Sequence, residues 1–476
     1  MTIRKSNRRS HAKPDAKLEQ PVDLISRRKF LKTAAFGAAA AALAACAPAA
    51  TTAAPAATSA PAATSGAAAT PAAVATGAPA VNTGARQVVQ YQSWWFEEGD
   101  RGKTWTSFIK EFNDSQKDVT VQAQQIPFTD YETKIIVQVN AGKLAGDIVQ
   151  STPELAPRLV RSNLLAPLDS VLTTNNITDL SSAHDSFRAN GHLYGLDMVT
   201  VAFGLIYNSK MYADAKLTPA TNPDDLVAIA KQLTNRDKQV YGFWSDHLVS
   251  DVVDFWFKLE EYCMPYGGVW AKGKTPLLTS DPIIKGLKLF KSLYDVAFPQ
   301  GAYGPTADRL FGTNALAQQL TVSAAVGSYA PKFPDLYPLL KSAPIPWPGN
   351  KSIARIHPMM VNGASPVKDA ALQFVTYMYK PDNYRRMVEG CQDVIFSIKS
   401  AEDPAYLAKL PWRSPGFDGV TYITPFDAVG DFLYNFSEFG NIVITNFADV
   451  LNAGKSVEDA MAAAQTQAEA LAQRIA

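Results

Sequence analysis

The 476-residue chain is poor in cysteine and histidine, with three of one and five of the other. So few thiols exclude a small scaffold stapled by disulfides, and five scattered histidines without C-x-x-C or H-E-x-x-H make no zinc site. G-x-S-x-G and G-x-G-x-x-G are absent as well, and Gly349-Asn350-Lys351-Ser352 supplies only the tail of a phosphate-binding loop. Charge of one sign is missing too: 45 Lys and Arg face 44 Asp and Glu. The apolar run Thr33 to Ala45 has thirteen residues, short of the about 20 that a membrane-spanning helix needs. What is present, 47% hydrophobic and 10% aromatic residues, rules out a disordered chain or a coiled coil. The length exceeds what a single core usually fills, so two lobes are expected.

Charge is unevenly spread. Residues 1 to 46 carry ten basic and three acidic side chains, residues 47 to 85 none, and the rest 35 basic and 41 acidic. A mildly acidic body argues against nucleic-acid binding, which needs a basic surface. The basic start, followed by thirteen apolar residues and then small ones, reads as an export signal spanning 1–45. Within it Ser26-Arg27-Arg28-Lys29-Phe30-Leu31-Lys32 resembles a twin-arginine signal, and Leu43-Ala44-Ala45-Cys46 resembles a lipobox with Cys46 as the lipidated residue. From there to residue 85 the chain is almost wholly Ala, Pro, Thr, Ser and Gly. With no large apolar side chains to offset the entropy of ordering, 46–85 reads as a linker. A lipid anchor at the outer face of the cytoplasmic membrane plus a tether suits a body that works close to that membrane.

Beyond Arg86 short strands alternate with amphipathic helices, an α/β pattern. The spacing predicts strands at Val88 to Gln92, Val119 to Ile126, Asp147 to Gln150, Val201 to Tyr207, Val240 to Trp244 and Val322 to Gly327. Trp105, Phe108, Ile109 and Phe112 share one helix face. Asp281-Pro282, Ser365-Pro366 and Ser456-Val457-Glu458-Asp459 each open a helix, the last running to about Arg474.

Several segments together carry a resemblance. Val88 to Trp95, Lys143 to Val149, Asn163 to Asp169, Gly191 to Leu196, Leu205 to Asn208, Gly267-Gly268-Val269-Trp270, Gly327-Ser328-Tyr329, Ser365 to Ala371 and Gly454 to Ala460 occur in an order that resembles the extracellular solute-binding proteins of ABC importers, in the carbohydrate-binding family that includes maltose-binding protein. The chain departs at Asp197, usually proline, at Leu226 and Tyr329, where tryptophan is usual, and at Phe311 to Ala315. The resemblance implies a periplasmic-binding-protein-like fold with an interlobe hinge, lobe 1 holding 86–199 and 351–410 and lobe 2 holding 200–350 and 411–476. It also implies a carbohydrate ligand, transmembrane permease subunits as partners, a monomer, and neither catalytic residue nor cofactor.

A sugar offers apolar C–H faces and a rim of hydroxyls, so its site needs flat aromatic platforms and polar groups in their plane. Trp94, Trp95 and Glu97 follow the first strand; Thr152 and Glu154 follow the Asp147 strand; Trp244 and Asp246 end a second-lobe strand. The resemblance adds Trp270 and Tyr329, with His357 and Met198 near the two crossings. Tyr434, Phe436 and Phe439 precede the last helix and offer another platform. The competing reading is an exported carbohydrate hydrolase, for which Glu97/Glu98, Asp251/Asp254 and Glu260/Glu261 are paired carboxylates. A non-sugar polyol such as glycerol phosphate is a further ligand choice, and a lipid-anchored sensor or adhesion module differs only in partner. Cys263 and Cys391 fall in different lobes by the resemblance, where a bridge would oppose the hinge, so both are expected as free thiols.

Overall fold

A computed structural model describes residues 86–475 except 154, 251 and 424–427. The export signal, Cys46 and the linker lie outside the described residues. The described residues belong to one compact unit.

The first strand β1 (Gln87–Ser93) runs into helix α1 (Gly99–Ser115) and returns as β2 (Val119–Gln125), parallel to β1 with Gln87 opposite Val119. The spacing of Trp105, Phe108, Ile109 and Phe112 puts all four on the buried face of α1, against the sheet. After helix α2 (Phe128–Asn140) the chain forms β3 (Ile148–Gln150), which pairs in parallel with the other side of β1. Asp147 stays just outside β3, and its carboxylate accepts the Gln90 N–H at 2.7 Å and the Ser365 hydroxyl at 2.6 Å.

Two long strands organise the rest. β4 (Leu196–Asn208) is buried almost throughout, and β7 (Lys351–Val361) pairs with it and with β3 in antiparallel fashion. β4 leaves β7 after Ala202; from Phe203 on it pairs antiparallel with β5 (Gln318–Val322) and with β6 (Leu340–Ala343). β8 (Thr421–Ile423) adds in parallel to the start of β7. The order is β6-β4-β7-β3-β1-β2, with β5 on β4 and β8 on β7.

Beyond the change of partner β4 touches two cores. Val199, Val201, Ala202 and Ile206 belong to a first hydrophobic cluster with Trp95, Trp105, Phe374 and Met378, whereas Phe203 and Leu205 belong to a second. That second cluster joins α3 (Val252–Cys263), α4 (Asp281–Ala297), α9 (Phe436–Asn452) and α10 (Val457–Ala472). Between these in sequence come α5 (Gly304–Gly312), α6 (Ser323–Gly327), α7 (Lys368–Met378) and α8 (Pro381–Gly390). The Ser456 hydroxyl accepts the Asp459 N–H at 3.0 Å and caps α10.

Two expected strands differ. Val240 to Trp244 makes only isolated bridges, Tyr241 with Leu316 and Trp244 with Gln319. Gly242 lies so close to the Ala230 carbonyl that a Cβ would be 1.8 Å from its oxygen, so this stretch packs on a helix end instead of completing a ladder. The strand expected at Val322 to Gly327 is displaced upstream to β5, and Ser323–Gly327 is helical. A short apolar run does not separate the two states, and Ala324-Ala325 favours the helix.

Candidate functional site

Beside the stretch where β4 changes partner, a cleft of about 370 Å³ opens, lined by residues of both clusters. One wall comes from the end of β1. The Ser93 hydroxyl accepts the Trp95 N–H at 3.0 Å and turns the chain into a short 3-10 helix, Trp95–Glu97, that delivers Trp94 and Trp95 to the cleft. Trp94 packs edge-on against Tyr131, with ring centroids 4.7 Å apart, and beside Phe128, also on the wall. Trp95 carries Arg101 over its ring at 4.9 Å and lies 5.1 Å from His357. Behind the wall Arg101 pairs with buried Asp393 at 3.3 Å and with Glu98 at 3.8 Å. Burial holds the Glu98 carboxyl above its usual range, although Arg101 pulls it down.

The opposite wall is built from Trp244, Asp246, Asp254 and Lys258 of the region around α3, and from Gly304 and Asp308 of α5. Trp244 is fixed by its Nε1–H, which donates to the Ala302 carbonyl at 3.2 Å. The Asp308 carboxylate accepts the Tyr329 hydroxyl at 2.6 Å, and Gln319 donates to that same hydroxyl oxygen at 3.0 Å. Burial raises Asp308 above the usual carboxylate range, against the lowering effect of the Tyr329 bond. Lys258 pairs with Glu261 at 2.9 Å and sits 4.6 Å over the Phe203 ring; burial pushes the Glu261 carboxyl up to about 7 despite that lysine. The floor is β7, from which Arg355 and His357 line the cleft and Arg355 stacks on Phe257.

Of the residues expected at a binding site, Trp94, Trp95, Trp244, Asp246 and His357 come together on this one cleft. Tyr329 stands one bond behind it, through Asp308 and Gln319. The others are elsewhere. Trp270 is fully buried in the second core, tilted against Trp256 with centroids 4.6 Å apart. The Met198 sulfur takes the Tyr91 hydroxyl at 3.1 Å inside the first core. The Thr152 hydroxyl accepts the Leu155 N–H at 3.2 Å, which makes it a local turn cap. Glu97 is exposed, and it is Glu98 beside it that joins the wall. Glu154 lies outside the described residues.

Sequence reasoning passed over Arg101, Phe128, Lys258, Asp308 and Arg355. Arg355 had a signal, because residues two apart on a strand share a face, so a cleft-facing His357 implies a cleft-facing Arg355. Lys258 and Asp254, four apart on α3, share a helix face in the same way. Nothing local marks Asp308 or Arg101. Among the described residues no cluster of three or more His, Cys, Asp or Glu is fit to hold a metal ion, and no helix is long and apolar enough to cross a membrane.

A cleft lined by three indoles together with carboxylates and guanidinium groups suits a polyhydroxylated solute. The class that fold and cleft define is that of a solute-binding protein. The chain belongs to the bacterial extracellular solute-binding protein family, whose model matches residues 107–412. Solved structures agree in fold. The cyclic alpha-maltosyl-1,6-maltose binding protein of Arthrobacter globiformis superposes with a TM-score of 0.65 at 19% identity, over 82% of this chain and 100% of that one. A solute-binding protein of an ABC transporter from Thermotoga lettingae, bound with alpha-D-tagatose, gives 0.69 at 18%, over 82% and 100%. One from Agrobacterium vitis with bound D-mannitol gives 0.67 at 17%, over 82% and 99%. No curated protein matches the chain by sequence.

Proposed function

We propose that this protein is the substrate-binding component of an ABC importer, exported by a twin-arginine signal, anchored through lipidated Cys46 to the outer face of the cytoplasmic membrane, and binding a sugar or polyol. Its lobes, 86–199 with 351–410 and 200–350 with 411–476, close over the ligand, and the closed form hands the ligand to the permease. The observation that carries the reading is the cleft itself, lined by Trp94, Trp95 and Trp244 together with the carboxylates of Glu98, Asp246, Asp254 and Asp308 and the guanidinium groups of Arg101 and Arg355. A ligand that touches both walls favours the closed state over the open one, which is all that a delivery signal requires. The ligands of the structural neighbours, a cyclic maltose dimer, tagatose and mannitol, support the polyhydroxylated class.

Thermal unfolding against a library of sugars, polyols and sugar phosphates tests it. A ligand at 100 times its Kd adds about 2.7 kcal/mol, a clear rise in melting temperature. The ligand must be recovered chemically unchanged; turnover would favour a hydrolase, with Glu98 and Asp254 of the cleft as its carboxylates. Silence across the library would refute the carbohydrate reading. Cys46→Ser is expected to move the protein from the membrane to the soluble extracytoplasmic fraction.

A further inference from the structure

Asp308 is held from behind in a way that leaves one of its oxygens free. Helix α5 brings Gly304 and Asp308, four residues apart, to the same wall of the cleft. The Tyr329 hydroxyl donates to Asp308 Oδ1 at 2.6 Å, and Gln319 Nε2 donates to the Tyr329 oxygen at 3.0 Å. The directions are forced. A hydroxyl has one proton and an ionised carboxylate has none, so the tyrosine spends its proton on Asp308 and accepts from the amide. Tyr329 and Gln319 are each 1% exposed, so both bonds lie out of water, where they are strongest. The Tyr329 ring packs on Phe311 and Phe333, with centroids 5.9 and 5.8 Å away. Asp308 itself is half-buried and lines the cleft; its Oδ2 has no hydrogen-bond partner among the described residues and is not shut off from solvent.

The same frame holds an indole. Gln319, on β5, is bridged through its backbone to Trp244, and the Trp244 Nε1–H donates to the Ala302 carbonyl two residues before α5. Platform and carboxylate are thus tied together twice, through Gln319 and through the start of α5. A solute whose flat C–H face lies on an indole presents its hydroxyls around the rim of that face. An ionised carboxylate oxygen only accepts, so what it selects from such a rim is a donor.

We propose that Asp308 is a specificity-determining residue of the cleft: its Oδ2 accepts one hydroxyl of a solute lying on Trp244, and Tyr329, backed by Gln319, is the positioning residue that aims it. The inference rests on the sugar-or-polyol reading and narrows it to compounds that carry a hydroxyl at that one point. A compound deoxygenated there leaves the oxygen without a donor from the solute. The titration of Asp308 gives a second readout. Burial raises it above the usual carboxylate range, against the Tyr329 bond and Lys332, which lower it. Protonation removes the acceptor, so affinity falls as pH falls through the value of Asp308, and loss of the Tyr329 hydroxyl moves that fall to higher pH. Glu98, Asp246, Asp254 and Lys258 share the cleft, with Glu261 behind Lys258. These groups are common to parent and variants, so the shift is read as a difference.

Calorimetry on the full protein with ribitol, mannitol, tagatose, maltose and mannotriose, then with the monodeoxy analogues of the tightest binder, tests the assignment. In the parent, removing one particular hydroxyl is expected to weaken binding at least about tenfold, and in Asp308→Asn that same removal costs little. Asp308→Asn loses about 10- to 100-fold in affinity for the complete compound, the range of a hydrogen bond to a charged group. Tyr329→Phe keeps the ring and loses about 3- to 10-fold, but costs nothing further on the Asp308→Asn background. Its fall in affinity on acidification begins at higher pH than in the parent, and Asp308→Asn lacks that step. Melts establish first that each variant folds, and the deoxy series on the unaltered protein needs no variant. A parent indifferent to every single deoxygenation, or equal losses from Tyr329→Phe on both backgrounds, overturns the proposal. If a compound binds but Asp308→Asn leaves its affinity unchanged, the sugar-or-polyol reading stands and this inference falls. Binding of none of the compounds overturns both.

Discussion

Trp95 and Trp270 are both essentially inaccessible, 1% and 0% exposed, and both sit among other aromatic rings. One lines the cleft and the other does not. Trp95 stands just past the carboxyl end of β1, where the chain turns into the seam that the cleft forms. Trp270 is pinned by its backbone N–H to the Ala428 carbonyl at 2.7 Å and packs inside the second core on Trp256, which in turn meets Phe436 and Phe439. Residue type and burial are therefore poor guides to a ligand platform. What separates the two is where the backbone sets them: Trp95 just past the end of β1, on the cleft, and Trp270 inside the second core.

The sharpest way to break this comparison is Trp270→Ala. Removing a fully packed indole costs about 3–5 kcal/mol of stability, and the variant that still folds is expected to bind ligand as the parent does. Calorimetric unfolding together with binding at a temperature where the variant is folded decides it; lost affinity at unchanged stability would mean that Trp270 belongs to the site after all. Trp94→Ala is the mirror case. There a loss of about 10- to 100-fold in ligand affinity, or about 1.4–2.8 kcal/mol, is expected beyond any change in stability, read by titration calorimetry on the folded variant.

The same comparison explains what was legible beforehand. The β-α-β start needed only periodicity: two strands and a helix stripe of four large apolar residues, all of which form. Trp94 was visible because it follows the first strand and His357 because it lies near an expected crossing, whereas Trp244 was reached through a strand that forms only isolated bridges. Trp270 and Met198 were picked by chain position relative to the resemblance, which does not say which way a side chain turns. Arg101, Lys258 and Asp308 were missed because helices present their polar residues to solvent everywhere, and only the packing of α1, α3 and α5 around the seam selects these three. The strand expected at Val322 to Gly327 failed for the reason already given, that five small apolar residues carry no period long enough to read.

Smaller effects sharpen the contrast between the two cores. Glu261 lies behind the second wall with its carboxyl pushed up to about 7 from the free value of 4.5, by burial first and against the pull of Lys258. A carboxyl raised in the folded state binds its proton more tightly there than in the unfolded chain. Its contribution is thus fully present below about pH 4.5 and is lost as pH rises through about 7. Glu261→Gln removes that dependence, so the stability of the variant relative to the parent is expected to grow between pH 5 and 7.5 in a series of melts at about half-unit steps. A constant difference across that range would mean that Lys258 keeps the carboxyl ionised throughout.

The smallest expected effect is none. Cys391 belongs to the first core and Cys263 to the second, and both are buried free thiols. A bridge between them would tie the two cores across the seam that has to move if the cleft closes on its ligand. Burial pushes the Cys391 thiol up to about 12 and the Cys263 thiol well above its ordinary value, so neither supplies the thiolate that exchange and alkylation require. A reductant is accordingly expected to leave the melting temperature unchanged, and a thiol reagent to find neither group until denaturant is added, when both titrate without reduction. A reductant-dependent melt would show a covalent tie between the cores; rapid labelling of Cys391 alone would show that the first core opens beside Arg101, and the wall built on Trp95 would then be the mobile one.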